Sequence, residues 1–345
     1  MEQTVLYRKY RPSNFKEVLG QDHIVKALSG AINLGNISHA YLFAGTRGTG
    51  KTSIARILAS EIGTTNNDLY EIDAASNRGI DDIRELRDSV NVLPFESPYK
   101  VYIIDEVHML TKEAFNALLK TLEEPPKHVI FVLATTELEK LPDTIISRCQ
   151  SFSFKKPTHS VLKEMVLNVA KKEGFTIEPA SADLIAVLGD GSFRDTHGIL
   201  QKVISSSADK KISVEEIEEI TGAPKGDLVN NFISAIAEKE TERGLKAIEK
   251  AVENNVDMKI FAKLILQKMR AVLLLRYAKD LEKQIATEFS EKDFDFLLDL
   301  AKSKDSNISS NTINEMLETY NQIGKAYISQ LPLEMAIVKL IANSL

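Results

Sequence analysis

The chain has 345 residues, 43% of them hydrophobic and 27% charged, which is typical of a globular protein of roughly two to three domains. A formal net charge of −6 argues against a uniformly basic nucleic-acid-binding protein, although it permits a local basic track. The single cysteine, Cys149, excludes an internal disulfide and a metal site built from several cysteines. The N-terminus lacks a signal-peptide pattern and no run of about 18 apolar residues occurs, so we expect a cytoplasmic protein without a membrane span.

Short segments rich in β-branched and aromatic residues predict five strands in the first part of the chain. These are Tyr41–Phe43, Leu69–Ile72, Val101–Ile104, Val129–Leu133 and Ser151–Phe154. Helical patterns separate them, which indicates a parallel sheet covered by helices on both faces. Because such crossovers are right-handed, residues 1–155 are predicted to form a doubly wound α/β domain.

After residue 155 the strand signals stop and helical periodicity dominates. Apolar residues recur every three or four positions, for example from Phe261 to Val272 and from Leu333 to Ile341. Glycine-containing breaks divide this part of the chain, and the polar stretch Lys302–Asn311 is predicted to be a loop. We therefore predict two helical domains, 156–222 and 223–345.

A phosphate-binding loop follows the first predicted strand and precedes a helical pattern, which is the context that the motif GxxxxGK[ST] requires. Its glycines allow backbone N–H groups to surround phosphate oxygens, and the following helix N-terminus adds a positive end. Lys51 is expected to reach the outer phosphates of ATP and the Thr52 hydroxyl to bind Mg²⁺. The predicted ATP-binding residues here are Gly45, Thr46, Arg47, Gly48, Thr49, Gly50, Lys51, Thr52 and Ser53.

Two carboxylates end the predicted strand Val101–Ile104. In an open parallel sheet, side chains at the carboxyl ends of the strands meet beside the phosphate loop. Asp105 is therefore expected to hold Mg²⁺, directly or through water, and Glu106 to act as the general base on the attacking water. Together with the loop, this pair predicts Mg²⁺-dependent ATP hydrolysis.

Five motifs resemble those of a single family. They are Asp105–Leu110 (DEVHML), Phe115–Pro126 (FNALLKTLEEPP), Tyr7–Pro12 (YRKYRP), Ser147–Cys149 (SRC) and Gly191–Asp195 (GSFRD). In combination they resemble the gamma/tau subunits of the bacterial DNA polymerase III clamp loader, which are AAA+ ATPases. The resemblance is dense from residue 4 to about 222 and weaker through residue 345.

The resemblance implies a RecA-like AAA+ domain with its P-loop, a three-helix lid domain and an all-α collar domain that oligomerises. It implies a DNA-dependent ATPase in a hetero-pentamer with other loader subunits, which can include several copies of this chain. ATP binding would let the loader open the ring-shaped sliding clamp and grip primer–template DNA, and hydrolysis would release the closed clamp. A classification as DNA-directed DNA polymerase would follow from membership of the complex, because the sequence has no polymerase carboxylate pattern beyond the ATPase site.

The resemblance also assigns side chains around the nucleotide. Tyr7, Arg8, Arg11 and Pro12 would line the adenine side, or alternatively anchor the N-terminus. Thr135 or Thr136 would sense the γ-phosphate, the alternative being a threonine pair that caps a strand end. A separation of twelve residues from Arg148 favours Thr136. Arg148 would act in trans on ATP bound to a neighbouring subunit, and Arg194 would be a second sensor carried by the lid rather than a plain surface arginine.

A DNA contact is predicted at Asn77 and Arg78, just before the predicted helix Ile80–Val90, because loaders of this kind grip phosphates with helix N-termini. An ordinary turn is the alternative.

The chain departs from the family in two places. Gly63–Asn67 stands where relatives carry a four-cysteine zinc module, so we expect no zinc, and the chain stops at the end of the collar, so we expect a gamma-like core. Two alternative functions are the small subunit of an archaeal-type loader and an inactive assembly scaffold. The FNALLKTLEEPP run opposes the first, and intact Lys51 and Glu106 oppose the second.

Overall fold

The computed structural model describes residues 5–77, 79–207, 209–303 and 306–342. The fold divides into two units, Met1–Leu162 with Gly191–His197, and Lys163–Asp190 with Gly198–Leu345. The three-domain division into 1–155, 156–222 and 223–345 is finer than this one and stays a prediction. No helix within the described ranges has the length and apolar character that crossing a membrane requires.

The central sheet of the first unit is parallel throughout, with strand order β2-β3-β4-β1-β5. Its strands are β1 (Ala40–Ala44), β2 (Leu69–Asp73), β3 (Lys100–Asp105), β4 (Val129–Thr135) and β5 (Gln150–Ser153). All five strand predictions are confirmed. β4 extends further than expected, so Thr135 ends the strand rather than following it.

The helices lie before, between and after these strands. They are α1 (Leu6–Lys9), α2 (Asp22–Asn33), α3 (Lys51–Glu61), α4 (Ile80–Val90), α5 (Lys112–Glu123), α6 (Asp143–Ile146), α7 (His159–Lys172), α8 (Pro179–Leu188), α9 (Phe193–Ser206), α10 (Val214–Thr221), α11 (Gly226–Glu238), α12 (Thr241–Glu253), α13 (Met258–Tyr277), α14 (Glu282–Ala286), α15 (Glu291–Lys302), α16 (Ser310–Ile323) and α17 (Leu331–Ala342). Strand–helix alternation followed by helices confirms the predicted fold class.

Both faces of the central sheet are buried at its three inner strands, β1, β3 and β4, because these strands are apolar at nearly every position. On one face Leu42, Ile104 and Leu133 pack in the same cluster as apolar residues of α4 and α5. On the other face, Phe43 and Val132 belong to a cluster with residues of α2 and α3. Such continuous apolar strands are what a doubly covered parallel sheet requires.

The second unit has a helical core built from α11 to α17, centred on buried residues such as Phe232 and Phe261. The expectation that strands stop after residue 155 is wrong in one detail. A two-stranded parallel sheet pairs β6 (Thr176–Ile177) with β7 (Lys211–Ile212). Strands of two residues are too short to show an alternating pattern, so the sequence could not indicate them.

The predicted loop Lys302–Asn311 is also shorter than expected. α15 includes Lys302, and α16 already begins at Ser310, where the Ser309 side chain caps the helix through a capping box with Thr312. Threonine replaces the usual Glu or Gln at the third helical position, which conceals the motif in the sequence.

A buried carboxylate, Asp68, organises the end of the segment 63–68. Asp68 is fully buried and accepts backbone N–H groups from Phe95 (2.6 Å), Glu96 (3.0 Å) and Ser97 (2.9 Å). Burial raises the pKa of Asp68, but these hydrogen bonds outweigh it and lower the pKa to about 2. Asp68 therefore fixes the 95–97 loop against the end of the 63–68 segment.

Replacing Asp68 with asparagine is expected to lower the free energy of unfolding by about 1–3 kcal/mol. An uncharged amide then replaces the carboxylate that accepts the three buried backbone N–H groups. The wild-type pKa is depressed from 3.8, so the stabilisation is complete above that value and is lost as the pH falls through about 2. Urea unfolding at several pH values measures this, with the exposed Asp88→Asn variant as control. Equal stability of Asp68→Asn and wild type at neutral pH would contradict the assignment.

Candidate nucleotide site

The phosphate loop connects β1 to α3 at the carboxyl edge of the sheet. Gly50 precedes α3 with φ of 101°, and Gly48 has φ of 74°, both in the left-handed region that favours glycine. A side chain at Gly48 would also collide with Ser192, so the loop needs glycine there on two grounds. The loop is tied to the sheet by Gly45 N–H, which donates to the carbonyl of Thr135 at 3.1 Å.

Lys51 is the first residue of α3 and is buried, with its ammonium turned back over the loop. The Nζ atom donates to the carbonyls of Gly45 at 2.7 Å and Thr46 at 3.1 Å. Burial lowers the pKa of Lys51, while the nearby carboxylates of Glu106 and Asp105 raise it in part. A cation is thus held among backbone carbonyls and beside two acids, ready to exchange these partners for phosphate oxygens.

Thr52 and Asp105 meet across the loop, as their predicted shared role requires. The Thr52 hydroxyl donates to Oδ2 of Asp105 at 2.7 Å, and Oδ1 of Asp105 accepts the backbone N–H of Glu106 at 3.0 Å. A hydroxyl and a carboxylate are the hard oxygen donors that Mg²⁺ prefers. The pair therefore fits a magnesium ion bound with a nucleotide.

Glu106 directly follows β3 in a left-handed conformation, with φ of 49° and ψ of 43°. Its Oε2 accepts the Thr136 hydroxyl at 2.9 Å and the Thr136 backbone N–H at 3.3 Å. Left-handed conformations of non-glycine residues are costly and concentrate at functional sites. Of the two candidate threonines, Thr136 contacts the predicted base, whereas the Thr135 hydroxyl faces His108.

His108 and Glu137 complete the site, although the sequence indicated neither. Nδ1 of His108 lies 3.0 Å from Oγ1 of Thr135, and Nε2 lies 3.2 Å from Oε1 of Glu137. The only available signal was the place of His108 two residues after Glu106.

An arginine cluster gathers the predicted adenine-side and sensor residues. The Arg194 guanidinium carbon lies 5.2 Å from the centroid of the Tyr7 ring, and that of Arg8 lies 5.8 Å from it. Burial lowers the pKa of Arg11, and the neighbouring charges of Arg56, Arg194 and Arg8 lower it further. Arg56, on α3, is a member that sequence reasoning missed, and the half-buried Pro12 follows Arg11 directly.

Five predicted residues remain to be placed, near this group or outside it. Arg47 is exposed and Ser53 half-buried on either side of Lys51. Arg148 follows α6 and donates to the carbonyl of Thr144 at 2.7 Å and to the carboxylate of Glu123. Asn77 donates from Nδ2 to the carbonyl of Asp73 at 3.0 Å within its own turn, and Arg78 lies outside the described residues. The DNA role of both stays a prediction.

The chain is expected to bind no structural zinc, because zinc needs about four nitrogen or sulfur ligands in tetrahedral reach. In the described ranges no group of three or more His, Cys, Asp or Glu side chains could hold a metal ion. Burial raises the pKa of the Cys149 thiol to about 11, which suits a packing role. Elemental analysis of purified protein tests the expectation, and one tightly bound zinc per chain would contradict it.

Comparisons with known proteins find subunits of DNA polymerase III. The family model described as DNA polymerase III, delta subunit, matches residues 64–158. The tau subunit of DNA polymerase III from Bacillus subtilis is 42% identical over 303 residues, which is 82% of this chain and 54% of that protein. The gamma/tau subunit from Mycoplasma genitalium is 37% identical over 338 residues, 92% of this chain and 52% of that protein. The chain thus spans about half the length of these curated relatives.

Solved structures agree on the fold. A mutant of RuvB from Thermotoga maritima is similar with a TM-score of 0.54 at 23% identity, over 72% of this chain and 86% of that one. At this identity the likeness concerns the fold alone. With the phosphate loop, the paired acids and relatives at 37–42% identity in agreement, the chain belongs to the DNA polymerase III gamma/tau family.

Proposed function

We propose that this chain is an ATP-hydrolysing motor subunit of a bacterial sliding-clamp loader, working within the DNA polymerase III assembly. The observation that carries the proposal is the cluster of Lys51, Thr52, Asp105, Glu106 and Thr136 around one edge of the sheet. An inactive scaffold would have no need of a buried lysine beside two acids. Membership of the gamma/tau family supports the replication role.

The loop residues Gly45 to Ser53 would bind the phosphates through backbone N–H groups, with Lys51 on the outer phosphates. Thr52 and Asp105 would hold Mg²⁺, which when bound offsets the negative charge of the phosphate oxygens. Tyr7, Arg8, Arg11 and Pro12 would form the adenine side. Arg194, which already lies over the Tyr7 ring, would add a cation beside the same nucleotide.

Glu106 would accept a proton from the attacking water, and Thr136 would orient Glu106 and that water. Separate roles for Lys51 in phosphate binding and Glu106 in proton transfer are supported by their contacts, since Lys51 bonds to the loop and Glu106 bonds to Thr136. Arg148 would serve the ATP of a neighbouring subunit. Its present contacts with Glu123 and Thr144 are partly exposed and of the kind that a subunit interface could replace.

Residues 156–222 would act as the lid and residues 223–345 as the collar through which this chain joins the other loader subunits. Primer–template DNA would contact Asn77 and Arg78 before α4. The sliding clamp would be the protein substrate, opened while ATP is bound and released after hydrolysis.

ATP turnover by the assembled loader tests the proposal, measured alone, with sliding clamp, with primed DNA and with both. Low basal turnover that rises with both together is expected, and a loader carrying Glu106→Gln should not respond. An ATP turnover rate that changes with neither sliding clamp nor primed DNA would contradict the loader function. A complete lack of turnover in all four conditions would contradict the motor function itself.

A further inference from the structure

His108 joins the two segments that carry the acid and the threonine of the candidate site. Its side chain is only 5% exposed, and it lies on the short 3-10 turn Val107–Met109 that follows Glu106. Nδ1 is 3.0 Å from Oγ1 of Thr135 and 3.5 Å from Oε2 of Glu106. Nε2 is 3.2 Å from Oε1 of Glu137. One ring therefore spans from the end of β3 to the end of β4.

The partners of the ring are themselves held in place by other groups. Nζ of Lys140 lies 2.7 Å from Oε2 of Glu137, and this hydrogen bond is the main cause that lowers the pKa of Glu137. The group that faces Nε2 is therefore a carboxylate, which can only accept. Oγ1 of Thr135 accepts the backbone N–H of Glu137 at 3.0 Å, so the two partners of the ring are also joined to each other.

This arrangement holds both neighbours of Thr136 in the chain. Thr135 is bound by Nδ1 and Glu137 by Nε2, so the intervening residue has little freedom to move. Thr136 in turn supplies two hydrogen bonds to one oxygen of Glu106, from its hydroxyl and from its backbone N–H. The position of the Glu106 carboxylate therefore depends on the turn that His108 contacts.

We propose that His108 is a positioning residue for ATP hydrolysis, which fixes the Thr135–Glu137 turn so that Thr136 can orient the Glu106 carboxylate. The proposal rests on the ATPase function proposed above. A general base must lie within hydrogen-bond reach of its water, and a displacement of about 1 Å can cost about 10²-fold in rate. The side-chain contacts of His108 are with Thr135, Glu106 and Glu137. The proposed phosphate and Mg²⁺ contacts belong instead to Lys51, Thr52 and Asp105, so ATP binding should depend little on His108.

The first test compares three variants in the assembled loader. His108→Phe fills the space without polar atoms and should lower kcat by about 10²-fold, with the ATP dissociation constant changed by less than about threefold. His108→Asn offers an amide oxygen near the Nδ1 position and should recover about tenfold of that loss. The control is His128→Phe, which removes another half-buried histidine, bonded to the carbonyl of Val90 at 3.1 Å, and should leave kcat unchanged. Wild-type kcat in His108→Phe would overturn the proposal.

The second test is a double-mutant cycle with Glu106→Gln under single-turnover conditions. If His108 acts through Glu106, adding His108→Phe to Glu106→Gln should slow hydrolysis by less than about twofold further. The full loss in both backgrounds would show an independent, merely structural effect and would overturn the proposal. If the Glu106→Gln variant hydrolyses ATP as fast as the wild type, the proposed ATPase mechanism is wrong. If Glu106→Gln is slow but His108→Phe has the wild-type rate, only the positioning role of His108 is rejected.

Discussion

Replacing Lys51 with alanine is expected to abolish detectable ATP binding, whereas replacing Glu106 with glutamine should preserve binding and stop hydrolysis. Lys51 is the buried cation of the phosphate loop, and its removal leaves Asp105 and Glu106 as the charges nearest the site. A hydrogen bond to a charged group contributes about 1.5–3 kcal/mol, which corresponds to a loss of affinity of about 10- to 100-fold before the added repulsion from the acids.

Glutamine at position 106 keeps the size and the hydrogen-bond acceptor that Thr136 uses, but an amide cannot take a proton from water. Loss of a general base typically slows a reaction by about 10²–10⁴-fold. Titration calorimetry with ATP and steady-state hydrolysis separate the two effects. Lys26→Ala, an exposed lysine on α2, is the matched control and should behave as wild type. Normal turnover by Glu106→Gln, or ATP binding within about threefold of wild type by Lys51→Ala, would show that the roles are misassigned.

Replacing Arg148 with alanine is expected to leave ATP binding to the same chain nearly intact and to reduce DNA-stimulated hydrolysis by the assembled loader at least tenfold. Its guanidinium contacts Glu123 and the carbonyl of Thr144 on its own chain. A guanidinium is always charged and can bond two phosphate oxygens at once, which suits a residue that acts across an interface. Arginine fingers contribute about 10³–10⁵-fold in rate, so a tenfold loss is a conservative expectation.

The direction of action is tested by mixing Arg148→Ala chains with Lys51→Ala chains in one loader. Each variant lacks one half of an active interface. If Arg148 acts in trans, a Lys51→Ala chain supplies its arginine to the intact pocket of an Arg148→Ala neighbour, and the mixture is more active than either variant alone. If Arg148 acts in cis, no chain in the mixture has both parts, and no activity is recovered. The Arg243→Ala variant, in the helical second unit, controls for the loss of a surface arginine.

The sequence alone determined the five strands and the fold class, and it predicted the phosphate loop and the two acids that the structure brings together. Apolar runs such as Val101–Ile104 can only be buried on both faces, so a parallel sheet follows from local composition. The phosphate loop and the two acids are equally local, since each is a short motif whose chemistry follows from neighbouring residues. The family motifs added Thr136, Arg148 and Arg194, which no periodicity would have indicated.

Only the tertiary structure decided which distant residues meet. His108 reaches Thr135 and Glu137 because β3 and β4 are neighbours in the sheet. The position of His108 two residues after Glu106 does not indicate that contact. Arg56 joins Arg11 and Arg194 from separate segments, and Asp68 holds the N–H groups of a loop that begins 27 residues later. Each of these is a polar contact between segments far apart in the chain. Sequence patterns record which face of an element is buried, whereas the partner of a polar group is set by how the elements pack.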